Sequence, residues 1–100
     1  MIYISGAITS DSDYFKKFEL ATLNLITKGY SITEIFNPVK QTIKEFGFPV
    51  NASWHHCMLF CLDELSNCDK IYMLKDWKES AGARIEHIWA EKMGIEIIYE

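Results

Sequence analysis

Lysine and arginine form no cluster anywhere in the chain, and the formal net charge is −4. A protein that grips a phosphate backbone needs a basic patch, so nucleic acid is a poor first partner. No apolar run reaches the roughly 18 residues of a membrane span, and Met1-Ile-Tyr-Ile-Ser lacks the charged start and long apolar stretch of a leader. The expectation is a soluble, cytoplasmic protein without a membrane partner. The three cysteines, Cys57, Cys61 and Cys68, are odd in number and contain no C-x-x-C pair, which fits reduced thiols acting as small buried hydrophobes. The G-x-G-x-x-G fingerprint is missing, so a nicotinamide dinucleotide bound in the usual mode is not indicated, and no cofactor is expected. No internal repeat or low-complexity segment interrupts the chain.

What is present suffices for one domain spanning residues 1–100, since 49% of the 100 residues are hydrophobic. Residues 2–5 read as a β-branched and aromatic strand ended by Gly6. Asp11, Ser12 and Asp13 are cap candidates for a helix whose stripe of Phe15, Phe18, Leu25 and Ile26, with Ala21 and Thr22 between, is stopped by Gly29. Residues 30–36 predict a strand closed by Asn37-Pro38, which places Asn37 at its carboxyl end. Residues 39–51 show no clean period beyond a helical turn around 42–46 and read as a loop or flap on the substrate side. Ser53 caps the next predicted helix, with Met58, Cys61, Leu62 and Leu65 facing the core and Asp63 facing solvent. Residues 69–74 and 95–99 predict strands buried on both faces, separated by a helix that opens at Ser80 and stops at Gly94. The order β-α-β-(loop)-α-β-α-β predicts an α/β fold: one small Rossmann-like or flavodoxin-like parallel sheet of about four strands with helices on both faces. In such folds ligands bind beyond the carboxyl ends of the strands, the edge to which Gly6, Asn37, Trp77 and Ser80 map.

One residue is out of pattern. On the predicted helix from Ser80, Gly82, Glu86, Trp89, Ala90 and Met93 share an apolar sector, with Glu86 near its middle. A carboxylate buried there unpaired costs several kcal/mol or shifts its pKa upward, and its helical neighbours Gly82, Ala83, Trp89 and Ala90 cannot neutralise it. Glu86 is therefore either a nucleophile or general base in a partly buried pocket, or a core carboxylate paired across space with a lysine, arginine or tyrosine. Tyr3 can donate to it, or can be plain core. Ser80-Ala81-Gly82-Ala83 offers backbone N–H groups, a hydroxyl and a glycine for close approach by an anion, or is simply a capped helix packing on the sheet. Gly6 with Ala7, Ile8 and Thr9 is a weaker second loop of this kind. Trp77 either stacks on a flat heterocycle or covers the core.

His55, His56 and Cys57 invite a metal, but adjacent helical side chains diverge by about 100° and nothing completes four ligands, so no metal is expected. The same divergence separates His87 from Glu86 and argues against a dyad. Cys61 lacks a local base that would make it a nucleophile. Asp11, Asp13, Glu45 and Glu91 read as solvated surface.

Several segments carry a family resemblance: I-Y-I-S-G at 2–6, N-P at 37–38, W-x-x-x-M from Trp54 to Met58, and C-D-x-I-Y-M-L at 68–74. The most specific is D-W-x-x-S-x-G-A-x-x-E-H at 76–87. Together they resemble the nucleoside 2-deoxyribosyltransferase-like superfamily, close to its short, phage-associated branch and related to the deoxynucleoside monophosphate N-hydrolases. The resemblance implies that Glu86 is the nucleophile attacking the anomeric carbon and that Tyr3 helps hold it. It further implies a retaining double displacement, in which Glu86 forms a deoxyribosyl ester as the base departs and water or a second base then attacks. Ser80 to Gly82 would hold the sugar's 5′ end or its phosphate. Serine at position 80 resembles the nucleotide hydrolases, whereas base-exchanging transferases carry aspartate there.

Two positions depart from the family pattern. The hydrolases' phosphate loop has an arginine where this chain has Thr9. An aspartate that serves the leaving base is replaced by Cys61, and Asp63 lies on another helix face. The expected function is thus an N-glycosidic enzyme acting on deoxyribonucleosides or their 5′-monophosphates, with Glu86 and Tyr3 in the chemistry and Gly6, Asn37, Trp77, Ser80 and Gly82 shaping the site. The alternative is a catalytically silent nucleotide-binding or sensing domain of the same fold. A slow hydrolase, or one that borrows a group from a neighbouring subunit, also fits. A homodimer or larger homo-oligomer is expected, because the superfamily often completes its sites across subunits.

Overall fold

A computed structural model describes residues 1–8, 12–48 and 50–100. Thr9, on which the phosphate-loop departure falls, and Asp11, a cap and surface candidate, lie outside the described residues. Four parallel strands, β1 (Ile2–Ser5), β2 (Ile35–Phe36), β3 (Lys70–Met73) and β4 (Glu96–Tyr99), form one sheet in the order β2-β1-β3-β4. They alternate with helices α1 (Tyr14–Thr27), α2 (Pro38–Phe46), α3 (Trp54–Ser66) and α4 (Ala81–Met93). The fold is α/β and Rossmann-like, as the element order predicts. Among the described residues no helix is long and apolar enough to cross a membrane.

The pleat of β1 sorts the core. Ile2 and Ile4 turn to one face and pack with Phe18, Ala21 and Leu25 of α1. Tyr3 turns to the other and packs with Cys61 and Leu65 of α3 and Ala83 and Ala90 of α4. Helices therefore cover both faces. The chain leaves β1 for β2 on one side and returns to β3 on the other, which makes the carboxyl ends of β1 and β3 the switch point where such sheets bind ligands. Tyr3 pairs in register with Phe36 and Ile71, and Ser5 with Met73.

Five expectations need correction. On α1 the buried stripe is Phe18, Ala21, Thr22 and Leu25, while Phe15 and Ile26 are exposed. Residues 38–46 form α2 instead of a loop, because Asn37 Oδ1 accepts the Val39 and Lys40 N–H groups and Pro38 occupies the first turn, where its missing N–H costs nothing. The predicted strand over residues 30–36 shrinks to Ile35–Phe36. Ser31 and Glu34 close a capping box around a 3-10 turn, Ile32–Glu34, and satisfy that backbone locally. β4 is an edge strand, only partly covered, instead of one buried on both faces. On α4 the buried stripe is Ala83, Glu86 and Ala90, while Trp89 and Met93 are exposed. Ser53 and Ser80 cap α3 and α4 through the His56 and Ala83 N–H groups, and Gly94 ends α4 in the left-handed conformation at φ 73°.

Candidate active site

Two residues apart on β1, Tyr3 and Ser5 project from the same face of the sheet toward α4. Glu86 meets them there. The Tyr3 hydroxyl donates to Glu86 Oε2 at 2.5 Å, and Ser5 Oγ donates to Oε1 at 2.7 Å. Each carboxylate oxygen thus has a hydroxyl donor, while Glu86 itself is only 7% exposed. Burial pushes the Glu86 carboxyl up to about 7, against the opposing pull of the Tyr3 and Ser5 hydrogen bonds. Burial, then the neighbouring Glu86 charge, holds the Tyr3 phenol well above its ordinary value, so it remains a donor. Tyr3 is fixed from behind by Phe36, stacked at 5.3 Å between ring centroids.

Glu86 borders a cavity of about 540 Å³ at the switch point. Gly6 and Ser80 to Ala83 line it from the loop after β1 and the start of α4, Val39, Thr42 and Ile43 from α2, and Met58 and Cys61 from α3. The two glycines serve differently. A Cβ at Gly6 would fall 2.8 Å from Leu74 Cδ1 and 3.0 Å from its Cβ, so any other residue there forces Leu74 to shift. At Gly82 the nearest atom would be Met58 Sδ at 3.5 Å, an ordinary contact, so the open space in front of α4 is not a packing necessity. Cys61 lies beside Tyr3, with Thr42 Oγ1 at 4.0 Å from its sulfur, and burial pushes its thiol up to about 11.

Tyr3, Gly6, Ser80, Gly82 and Glu86 therefore come together around the cavity. Asn37 and Trp77 do not belong to its wall. The Asn37 side chain is spent on capping α2. Trp77 stacks on His87 with centroids 4.2 Å and planes 9° apart. His87 also meets the Tyr99 hydroxyl at 2.7 Å and Glu91 at 3.3 Å. This cluster diverges from Glu86 because consecutive helical residues point about 100° apart. Two contributors were missed. Ser5 was signalled by its place two residues after Tyr3 and just before Gly6. Asp76 precedes Trp77: its Oδ1 accepts the Ala7 N–H at 3.2 Å, and its Oδ2 pairs with Lys17 Nζ at 2.5 Å. Lys17 Nζ also donates to the Ala7 carbonyl at 2.6 Å, and the three groups together pin the loop that carries Gly6. Among the described residues no group of three histidines, cysteines or acids gathers to hold a metal ion.

A family model described as Domain of unknown function (DUF4406) matches residues 1–99. The chain belongs to the DUF4406 family. No curated protein and no solved structure matches it. In this DUF4406 chain the site chemistry is that of a carboxylate held only by hydroxyls, facing a cavity with no cation among its described lining residues. Ionised, it is oriented and desolvated, which suits attack on an electrophilic carbon. Protonated, it can donate.

Proposed function

We propose that the protein is an N-glycosidic enzyme of the nucleoside 2-deoxyribosyltransferase-like kind, acting on deoxyribonucleosides or their 5′-monophosphates. The observation that carries this reading is the buried Glu86 carboxylate, held by Tyr3 and Ser5 at the wall of a cavity large enough for such a ligand. In the first step a Glu86 oxygen forms a bond to the anomeric carbon as the bond from that carbon to the base nitrogen breaks, and the base leaves with the electron pair and takes up a proton from solvent water. In the second step, water or another base attacks the same carbon and frees the carboxylate. Tyr3 and Ser5 fix the rotamer and stabilise the negative charge that returns to Glu86. The start of α4 at Ser80 and Gly82 receives the sugar's 5′ end. Gly6 keeps the loop after β1 close to Leu74.

A second reading, a silent nucleotide-binding or sensing domain, draws support from Cys61. Glu86 is the sole carboxylate among the described lining residues, and a thiol pushed up to about 11 delivers protons poorly to a departing base. Incubation with a panel of deoxynucleosides and deoxynucleotides, with free base followed by chromatography and Glu86→Ala as control, separates the two. Base release by the wild type alone supports the enzyme. Binding without release across the panel sinks it in favour of the sensor. The proposal includes a cytoplasmic location and assembly into a homodimer or larger, supported by Ile88, Trp89 and Met93 exposed along the outer face of α4.

A further inference from the structure

Resting on the proposed reading of the site, we infer that the cavity selects uncharged deoxynucleosides over their 5′-monophosphates and reads the base by apolar and aromatic burial instead of by hydrogen bonds. The wall decides the charge. No lysine, arginine or histidine lines the cavity among the described residues, and Glu86 is its only acid. The residues outside the described set, Thr9, Ser10, Asp11 and Pro49, are none of them cationic in sequence. Two nearby cations are already engaged: Lys17 with Asp76 and the Ala7 carbonyl, and Lys40 with Glu19. Among the described residues, what offers an anion the most is the start of α4, equivalent to about half a positive charge, against the −1.5 to −2 of a phosphate monoester. Such a dianion would be desolvated in an apolar wall beside a second negative group, without a counter-charge. A 5′-hydroxyl in the same place needs only a hydrogen bond.

The wall also limits how a base can be read. Thr42 Oγ1 donates to the Pro38 carbonyl, Ser80 Oγ accepts the Ala83 N–H and the Tyr3 hydroxyl donates to Glu86, so among the described wall hydroxyls that of Tyr14 alone is left for a base, too little to tell one base from another. At the rim stand Phe48 and Trp54, which line the cavity yet remain 78% and 48% exposed. Large apolar surfaces left open at a cavity mouth gain by covering a flat ring, and every base has such a face. Purine and pyrimidine nucleosides should therefore both be accepted.

Calorimetric titration of the wild-type protein with 2′-deoxyadenosine, thymidine and their 5′-monophosphates tests this directly. Each nucleoside is expected to bind at least about tenfold more tightly than its monophosphate, with the two nucleosides within about tenfold of each other. Equal or tighter binding of the monophosphates overturns the inference and leaves the enzyme reading intact. Binding of neither class, with no base released, overturns both. A lysine in the cavity wall should narrow the selection: Met58→Lys, opposite Gly82, or the more exposed Phe48→Lys at the rim if the first fails to fold, is expected to raise monophosphate affinity by about tenfold. No gain in a folded variant overturns the electrostatic part. Trp54→Ala should weaken both nucleosides by about tenfold, and unchanged affinity overturns the aromatic part.

Discussion

Two carboxylates stand at the same edge of the sheet and are held in opposite ways. Asp76 is half-buried and neutralised, with Lys17 on one oxygen and the Ala7 N–H on the other. Glu86 is buried and, among the described residues, held by the Tyr3 and Ser5 hydroxyls. A salt bridge ties the side chain by charge as well as by hydrogen bonding, so Asp76 acts as a strut. Hydroxyl donors fix position while leaving the charge to the balance between burial and hydrogen bonding, which places Glu86 near neutral pH. Burial without a charged partner, set against burial with one, separates the Glu86 carboxyl from the carboxylate that braces a loop.

The sharpest way to break that comparison is Glu86→Gln. It keeps the side chain's shape and can still accept from Tyr3 but cannot attack carbon, so base release should fall by about a thousandfold or more at unchanged secondary structure. Residual release near the wild-type rate would mean that Glu86 is not the nucleophile. The same variant has a second effect, on stability. Glu86 has its folded value raised to about 7 from 4.5, so between those pH values the folded state binds more protons than the unfolded one. The contribution of this group is present in full below about 4.5 and is lost as pH rises through about 7. Glu86→Gln should remove that loss, gaining about 3 kcal/mol relative to wild type between pH 4.5 and 7.5 in urea denaturation. A wild-type to variant difference that does not change with pH would show that the carboxyl is not displaced.

For Asp76→Asn the expectation is the reverse. The variant loses the ion pair to Lys17 Nζ that helps pin the loop carrying Gly6, so stability should drop by about 2 kcal/mol in the same denaturation assay. Base release per folded molecule should stay within about threefold of wild type. A large loss of activity at unchanged stability would place Asp76 in the chemistry and erase the contrast.

Much of this arrangement was legible in the sequence. The alternation of strands and helices specified a parallel sheet, and a carboxylate in the apolar stripe of α4 marked Glu86, because period and burial are local properties. The failures came where one signal serves two structures. Asn37-Pro38 ends a strand and starts a helix equally well, and the helical turn around 42–46 stands beside Gly47 and Pro49, which break the period. Asn37 was offered to a ligand, but a short amide next to unpaired N–H groups caps its own helix first. Trp77 sits in a loop whose direction no periodicity encodes. Its partner, His87, was already known to diverge from Glu86, yet nothing in the spacing joined the two. Ser5 has one signal, its place two residues after Tyr3 on the same face of the strand, and that signal counts only once Tyr3 is known to meet Glu86.

The finest distinction lies within the Glu86 cluster itself. Tyr3→Phe removes the donor to Oε2 and leaves Ser5 on Oε1 and the apolar surroundings in place. One of the two effects that lower the Glu86 carboxyl is lost while burial, which raises it, persists, so the ionised fraction at neutral pH must fall. Attack requires the ionised form, so the wild-type rate should rise with pH through about 7 and then level off. In Tyr3→Phe that limb should move to higher pH, with a loss of about tenfold at pH 7 that is partly recovered at alkaline pH. The readout is the pH profile of base release, since a damaged fold would lower the rate at every pH alike. A uniform loss would make Tyr3 a packing residue, and the hydroxyl cage would then reduce to Ser5 alone.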